Sequence, residues 1–211
     1  HPTSVHYEYN PDGNLKWTRI NEDETTKIRL EYDHAGNRTL LHDPDYCIEK
    51  KDLISVYNAF GEEVSTTTPR DLTTTYQYDQ FGRMTHRVEQ EPLPEGGIET
   101  KTTVWSYYET LDERHKGLLH TITYPGQTIT YTYDDFQRVR KEVVAFSEDE
   151  SYTTRFTYDL ASRKDRVLFP SGYYVNYHYN DIGHFKSVTD IHGDEIYRTE
   201  KTTPLGQTER F

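Results

Sequence analysis

The chain has one cysteine, Cys47, in 211 residues, so it can form no internal disulfide and offers no thiolate zinc site of the finger type. That lone thiol has no Cys–His pattern beside it and reads as buried or incidental, not as a nucleophile. Long apolar runs are missing as well: nothing approaches the roughly 18 residues that cross a bilayer, and no charged-then-apolar leader precedes the first tyrosines. His1 in place of an initiator Met suggests an excised or processed part of a longer chain. Basic charge is scarce, with 24 Lys and Arg against 36 Asp and Glu and a formal net charge of -12. The acids are spread along the chain, so no basic stripe exists to displace phosphate counterions; nucleic acid and anionic membrane are poor partners, and the lack of long apolar runs predicts no membrane insertion. Helical periodicity is nearly absent, Leu111 to Gly117 being the only plausible turn of helix.

Aromatic residues are abundant: 19 Tyr, 8 Phe and 2 Trp make 14% of the chain. A mean hydropathy of -0.97 would by itself border on the disordered class. Tyr, Phe, Trp and the many threonines instead suit a pleated, half-buried surface, which predicts an ordered β protein with a thin, amphipathic core.

The tyrosines recur with a period. Tyr9-Asn10-Pro11-Asp12-Gly13, Tyr32-Asp33-His34-Ala35-Gly36, Tyr57-Asn58-Ala59-Phe60-Gly61 and Tyr78-Asp79-Gln80-Phe81-Gly82 share one pattern: Tyr, Asp or Asn, two variable residues, Gly. Tyr133-Asp134, Tyr158-Asp159 and Tyr179-Asn180 with Gly183 continue it, and Tyr108-Glu109 and Thr202 to Gly206 fit as eroded copies. Successive slots lie 23, 25, 21, 30, 25, 25, 21 and 23 residues apart. A mean of about 24 is a solenoid-range period. Asp and Asn total 24 of 211 residues, so chance would place one after about two tyrosines; it follows seven, and those seven are in register. The expected organisation is a single array over 1–211, about eight to nine repeats, with an insertion around 90–115.

Asp or Asn first and Gly fourth are the preferences of a type I turn closed by a left-handed glycine, as in short hairpins. Aromatics precede the turn at alternate positions, as in Tyr76 and Tyr78 or Tyr131 and Tyr133, and so share one strand face. Stacked repeats are expected to align these rings in ladders. Opposite turns are marked by Thr68 to Asp71, Pro92 to Gly97, Pro125-Gly126 and Pro170 to Gly172. The fold class is therefore all-β, a tandem antiparallel meander of hairpins. Gln137 and Ser162 stand in glycine slots, where a left-handed conformation costs about 1–2 kcal/mol; those two turns are expected to be of another type or length. The long gap before Tyr108 predicts a projecting loop at Pro92 to Gly97.

Candidate chemistry is sparse. Asp190-Ile191-His192-Gly193-Asp194 could cup a divalent cation, but no further ligands are apparent, and a polar turn is the better reading. His178 and His184 flank a motif turn as packing or surface residues, and Ser171 lies outside any Gly-x-Ser-x-Gly elbow. Asn21 to Glu24 and Glu148 to Glu150 read as solvated loop tips, lacking calcium-loop spacing. No catalytic set, cofactor site or metal site assembles, and the expectation is a protein that is not an enzyme.

The stretch Tyr76-Gln77-Tyr78-Asp79-Gln80-Phe81-Gly82-Arg83-Met84 resembles the hairpin of the RHS, or YD, repeat family. That family includes bacterial Rhs polymorphic toxins, wall-associated proteins, insecticidal toxin complexes and teneurins. Gly117-Leu118-Leu119 through Tyr124-Pro125-Gly126, then Tyr131 to Asp134 and Phe169 to Gly172, resemble its bacterial branch, and the likeness runs from about Tyr7 to Gly206. It implies a sheet that curves and spirals into a hollow shell enclosing or presenting a C-terminal toxin polypeptide, secreted or at the cell surface. Implied partners are the remainder of a larger Rhs polypeptide and its enclosed cargo. The chain departs from full-length members in being too short for a closed shell and in lacking a self-cleaving terminal motif and a toxin domain. The alternative is an adhesive or carbohydrate-binding module that offers rows of exposed tyrosines to a glycan or cell-surface protein.

Overall fold

The computed structural model describes residues 3–46, 52–109, 114–203 and 208–210. Cys47, residues 111–113 and Pro204 to Gly206 lie outside the described residues.

The chain divides into two compact units, His1–Val104 and Trp105–Phe211. The first holds β1 (Val5–Tyr9), β2 (Leu15–Ile20), β3 (Ile28–Tyr32), β4 (Arg38–His42), β5 (Leu53–Tyr57), β6 (Glu63–Thr67), β7 (Thr73–Tyr78), β8 (Met84–Pro92) and most of β9 (Ile98–Tyr107). Each strand pairs antiparallel with the next in chain order. The second unit repeats the scheme through β10 (Leu119–Tyr124), β11 (Gln127–Tyr133), β12 (Val139–Ala145), β13 (Ser151–Tyr158), β14 (Lys164–Leu168), β15 (Tyr174–Tyr179), β16 (Phe185–Thr189) and β17 (Glu195–Arg198). The short strands β18 (Lys201–Thr202) and β19 (Thr208–Arg210) pair with each other.

Among the described residues the one helical turn is Glu24–Thr26, a 3-10 turn whose N-cap Asp23 accepts from the Thr25 amide. It begins at Glu24, the last residue of the segment Asn21 to Glu24 read from sequence as a solvated loop tip. Arg114 to Gly117, the described part of the expected helical turn, is irregular turn instead.

The core is thin. Among the described residues, the second unit buries Val167, Val175 and Ser187, and the first unit buries Ser55 and Thr103. A sheet of alternating Tyr, Thr and charged residues has few side chains to bury completely; most are half-covered by the strand next door. Stability must therefore come from many partly buried contacts between neighbouring strands, each of modest size.

One expectation needs refinement and another correction. The extra residues before Tyr108 project as a lengthened hairpin and not as a long loop: β8 and β9 continue pairing out to Pro92↔Ile98, past the last β7 partner at Glu89, and Leu93 to Gly97 is a tight, exposed turn. β-Branched Ile98, Thr100, Thr102, Thr103 and Val104 favour the extended chain, so the insertion lengthens a hairpin. The Gln137 and Ser162 turns are not of another type either. Both residues are left-handed, at φ 63° and 62°, and their amides donate to the Asp134 and Asp159 carbonyls at 2.9 and 3.0 Å, as glycine does elsewhere. Side chains help hold the strained backbone: Gln137 Nε2 donates to the Arg114 carbonyl at 2.6 Å, and Ser162 Oγ accepts from Arg138 Nη1 at 3.1 Å.

Candidate functional site, the seam between repeats

The motif turn is closed by its Asx residue. In Tyr78 to Met84 the Asp79 amide donates to the Arg83 carbonyl at 2.9 Å and the Gly82 amide to the Asp79 carbonyl at 3.1 Å. Asp79 Oδ1 accepts from the amides of Phe81 and Arg83 at 2.8 and 3.1 Å. A bulge between Gln77 and Tyr78 then sets Tyr78 opposite Met84. This is a type I turn with a left-handed fourth residue and an adjoining bulge. The same backbone pattern closes the turns at Asn10 with Gly13, Asp33 with Gly36, Asn58 with Gly61 and Asn180 with Gly183. Each has its bulge beside Tyr9, Tyr32, Tyr57 or Tyr179.

An arginine after the glycine slot completes three of these turns. Arg83 Nε donates to Asp79 Oδ2 at 2.7 Å, Arg138 Nε to Asp134 Oδ2 at 2.8 Å and Arg163 Nε to Asp159 Oδ2 at 2.7 Å. The second guanidinium nitrogen of each also reaches the same oxygen. For Asp159 the Arg163 bond is the main cause that holds its carboxyl below the usual carboxylate range. Desolvation pushes Asp79 and Asp134 up, but their arginines and turn amides outweigh it, and both end below that range.

The motif tyrosine faces the preceding repeat. Tyr32 Oη donates to the Leu15 carbonyl at 3.0 Å, Tyr57 Oη to Arg38 at 3.2 Å and Tyr78 Oη to Glu63 at 2.8 Å. In the second unit Tyr133 donates to Leu119 at 2.8 Å, Tyr158 to Val139 at 2.8 Å and Tyr179 to Lys164 at 2.9 Å. One rule covers all of them: the acceptor stands two residues after the glycine slot of the repeat before. Burial raises the phenol pKa of Tyr78, Tyr133, Tyr158 and Tyr179, with neighbouring carboxylates contributing at Tyr78, Tyr158 and Tyr179.

The expected ring ladders take a different form. Arg138 and Arg163 stack over the tyrosine of the following repeat, 4.5 Å from the Tyr158 centroid and 4.2 Å from that of Tyr179. Tyr133 makes a ring-on-ring contact across the repeat boundary with Tyr108, 6.1 Å away and edge-on. The eroded copy is also shifted by one residue. The Tyr108 amide donates to the Leu118 carbonyl and its carbonyl accepts from Gly117, so Tyr108 occupies the Asx slot and Tyr107, at the end of β9, the Tyr slot.

Elsewhere, Asp190 does for its turn what Asp79 does: Oδ1 accepts from the His192 and Asp194 amides, both at 2.9 Å. His178 Nε2 is paired with Thr189 Oγ1 at 2.9 Å, and Ser171 is a turn residue whose hydroxyl accepts from the Tyr173 amide at 3.3 Å. No group of metal-ligating side chains occurs among the described residues, and none of their helices is long and apolar enough to cross a membrane. Sequence reasoning missed the arginines and the acceptor carbonyls. The arginines left a signal, since they follow the slot at Gly82, Gln137 and Ser162 alike.

Comparison with known proteins agrees with this geometry. The RHS Repeat family model matches residues 57–90, the hairpin pair around Tyr57 and Tyr78. The crystal structure of TcdB2-TccC3 shares the fold over 96% of this chain, with a TM-score of 0.74 and 16% identity. The crystal structure of TcdB2-TccC3-Cdc42 aligns over 96% at 13% identity with a TM-score of 0.47. The chain spans only 11% of the first of these structures' chain and 13% of the second's. No curated protein matches it by sequence. The chain matches the RHS Repeat model at residues 57–90, within an all-β antiparallel hairpin fold that it shares with TcdB2-TccC3.

Proposed function

We propose that this chain is a non-catalytic wall segment, one array over 1–211, of a larger Rhs-type polypeptide that encloses or presents a C-terminal cargo outside the cell or at its surface. The motif residues from Tyr9 to Gly183 are its fabric. The observation behind this reading is the repeated hydroxyl-to-carbonyl bond, which commits the most characteristic side chain of every full repeat after the first to its neighbour. The carboxylates of Asp79, Asp134 and Asp159 are likewise tied into turns. Such chemistry builds a surface.

Small-angle scattering with parallel sedimentation tests it. A monomer distinctly more extended than a compact globule of this length, whose radius of gyration would be about 17 Å, is the expected result. A compact monomer would count against a wall segment.

A second reading has one observation in its favour. Phe60 and Phe81 are 89% and 70% exposed at adjacent turn tips, flanking a groove of about 690 Å³ lined also by Tyr76 and Asp79. Aromatic faces beside polar groups suit a sugar ring. Saturable glycan binding lost in Phe60→Ala and Phe81→Ala would make the adhesive module the better account.

A further inference from the structure

The second unit repeats a three-part contact, and at one place only two of the parts are present. Asp134 binds Arg138, which stacks on Tyr158, and Asp159 binds Arg163, which stacks on Tyr179. Cations cover other rings of the unit as well: Arg138 lies 4.9 Å from the Phe136 centroid, Arg166 4.3 Å from that of Tyr174 and Lys164 5.3 Å from that of Phe156. Phe146, Tyr152, Phe169 and Tyr173, at the return-turn ends of β12 to β15, have no such cover among the described residues and are 48%, 48%, 39% and 39% exposed.

Register sets these four rings on one face. Tyr152 faces Val144 and Phe156 faces Val167; Phe146 lies two residues past Val144, Phe169 two past Val167, and Tyr173 two before Val175, the other partner of Val167. Phe146 and Tyr152 meet edge-on at 6.2 Å, and Phe169 and Tyr173 stack at 6.3 Å. Tyr152 stands diagonal to Phe169, about 7–8 Å away at the backbone, so the two pairs join in one strip. Carboxylates are present too. Glu148, Asp149 and Glu150 fill the exposed turn between Phe146 and Tyr152, and Tyr152 Oη donates to Glu150 Oε1 at 3.1 Å. Among the described residues none of the three acids meets a cation.

We propose that this strip is a docking site for an arginine-rich segment of a partner protein, whose guanidinium groups provide the missing third part. Rings and free carboxylates side by side call for a cation, and the same unit shows which one. A guanidinium is planar and weakly hydrated, so it lies flat on a ring while its edge forks onto an acid, as Arg138 and Arg163 do. A lysine brings the charge without the plane. A second copy of this chain fits poorly: its net charge is -12, and its ring-stacking Arg138 and Arg163 already hold aspartates. The inference stands apart from the wall-segment reading, and a compact scattering envelope would leave it in place.

The test titrates the 211-residue chain into a fluorescent peptide of arginine and glycine, and into its lysine counterpart, with anisotropy as the readout. The arginine peptide is expected to bind saturably, about tenfold tighter than the lysine peptide, and less tightly as salt is raised. Phe146→Leu and Phe169→Leu keep apolar bulk and remove the ring, and each is expected to weaken binding about threefold or more. Glu148→Gln combined with Asp149→Asn changes only exposed turn side chains, so it reads the carboxylates without disturbing the strands; a similar weakening is expected. Absence of saturable binding, equal binding of the two peptides, or binding unchanged in the ring variants would overturn the proposal. Concentration-dependent dimers of the parent chain that Phe169→Leu dissolves would make a second copy the occupant and overturn it as well.

Discussion

The Arg138 guanidinium stacks 4.5 Å from the Tyr158 ring centroid while its Nε donates to Asp134 Oδ2 at 2.8 Å. One side chain thus closes its own turn and covers the tyrosine of the next repeat. A lysine retains the charge but neither the planar fork nor the flat stacking surface. Arg138→Lys is expected to destabilise the second unit by roughly 1–2 kcal/mol, and Arg138→Ala by more. Chemical denaturation of the three chains measures the order.

The glycine slots give substitutions of opposite sign. Gly82 is left-handed at φ 76°, and a methyl there meets Glu62 Oε1 at 2.9 Å. Glu62 can swing its carboxylate aside, so Gly82→Ala is expected to lose about 1–2 kcal/mol, mainly to the backbone. Ser162→Gly relieves the same strain and loses only an exposed bond from Arg138. It is expected to raise the melting midpoint slightly, while Gln137→Gly, which gives up the bond to Arg114, stays near neutral.

Acid unfolding follows from the turn carboxylates. Asp33, held down chiefly by its bond from Asn37, and Asp79, Asp134 and Asp159, held down by their arginines and turn amides, all titrate below their ordinary value when folded. A lowered folded pKa gives stability that is fully present above the unfolded value of about 3.9 and is lost as pH falls through the folded one. Asp79→Asn and Asp159→Asn should each flatten the acid limb of a stability–pH curve. At the alkaline end the sign reverses: Tyr78, Tyr133, Tyr158 and Tyr179 have raised phenol pKa values, so their contribution is present below about pH 10 and is lost as pH rises through the folded values.

Much of this architecture is legible in the sequence because hairpins are local. Tyr78-Asp79-x-x-Gly82 specifies a turn and the two strands it joins, and repetition fixes where the next begins. What lies between repeats is less visible, since a backbone carbonyl such as that of Glu63 has no residue type by which to announce itself. The insertion before Tyr108 shows the limit of counting: 30 residues could loop or extend, and the threonines of β9 decided for extension. Adjacent Tyr107 and Tyr108 fit the slot equally well on paper, and only the hydrogen bonds to Leu118 and Gly117 set the register. At Gln137 and Ser162, neighbouring side chains overrode a local preference that sequence alone had to trust.

The claim at the centre is that the motif tyrosine joins repeats through its hydroxyl as well as its ring. Thermal unfolding of Tyr78→Phe and Tyr133→Phe tests it most directly, because phenylalanine keeps the ring and removes one donor. Each is expected to lose about 0.5–1.5 kcal/mol, with the Glu63 or Leu119 carbonyl left half-buried without its partner. Midpoints unchanged from the parent in both variants would contradict it.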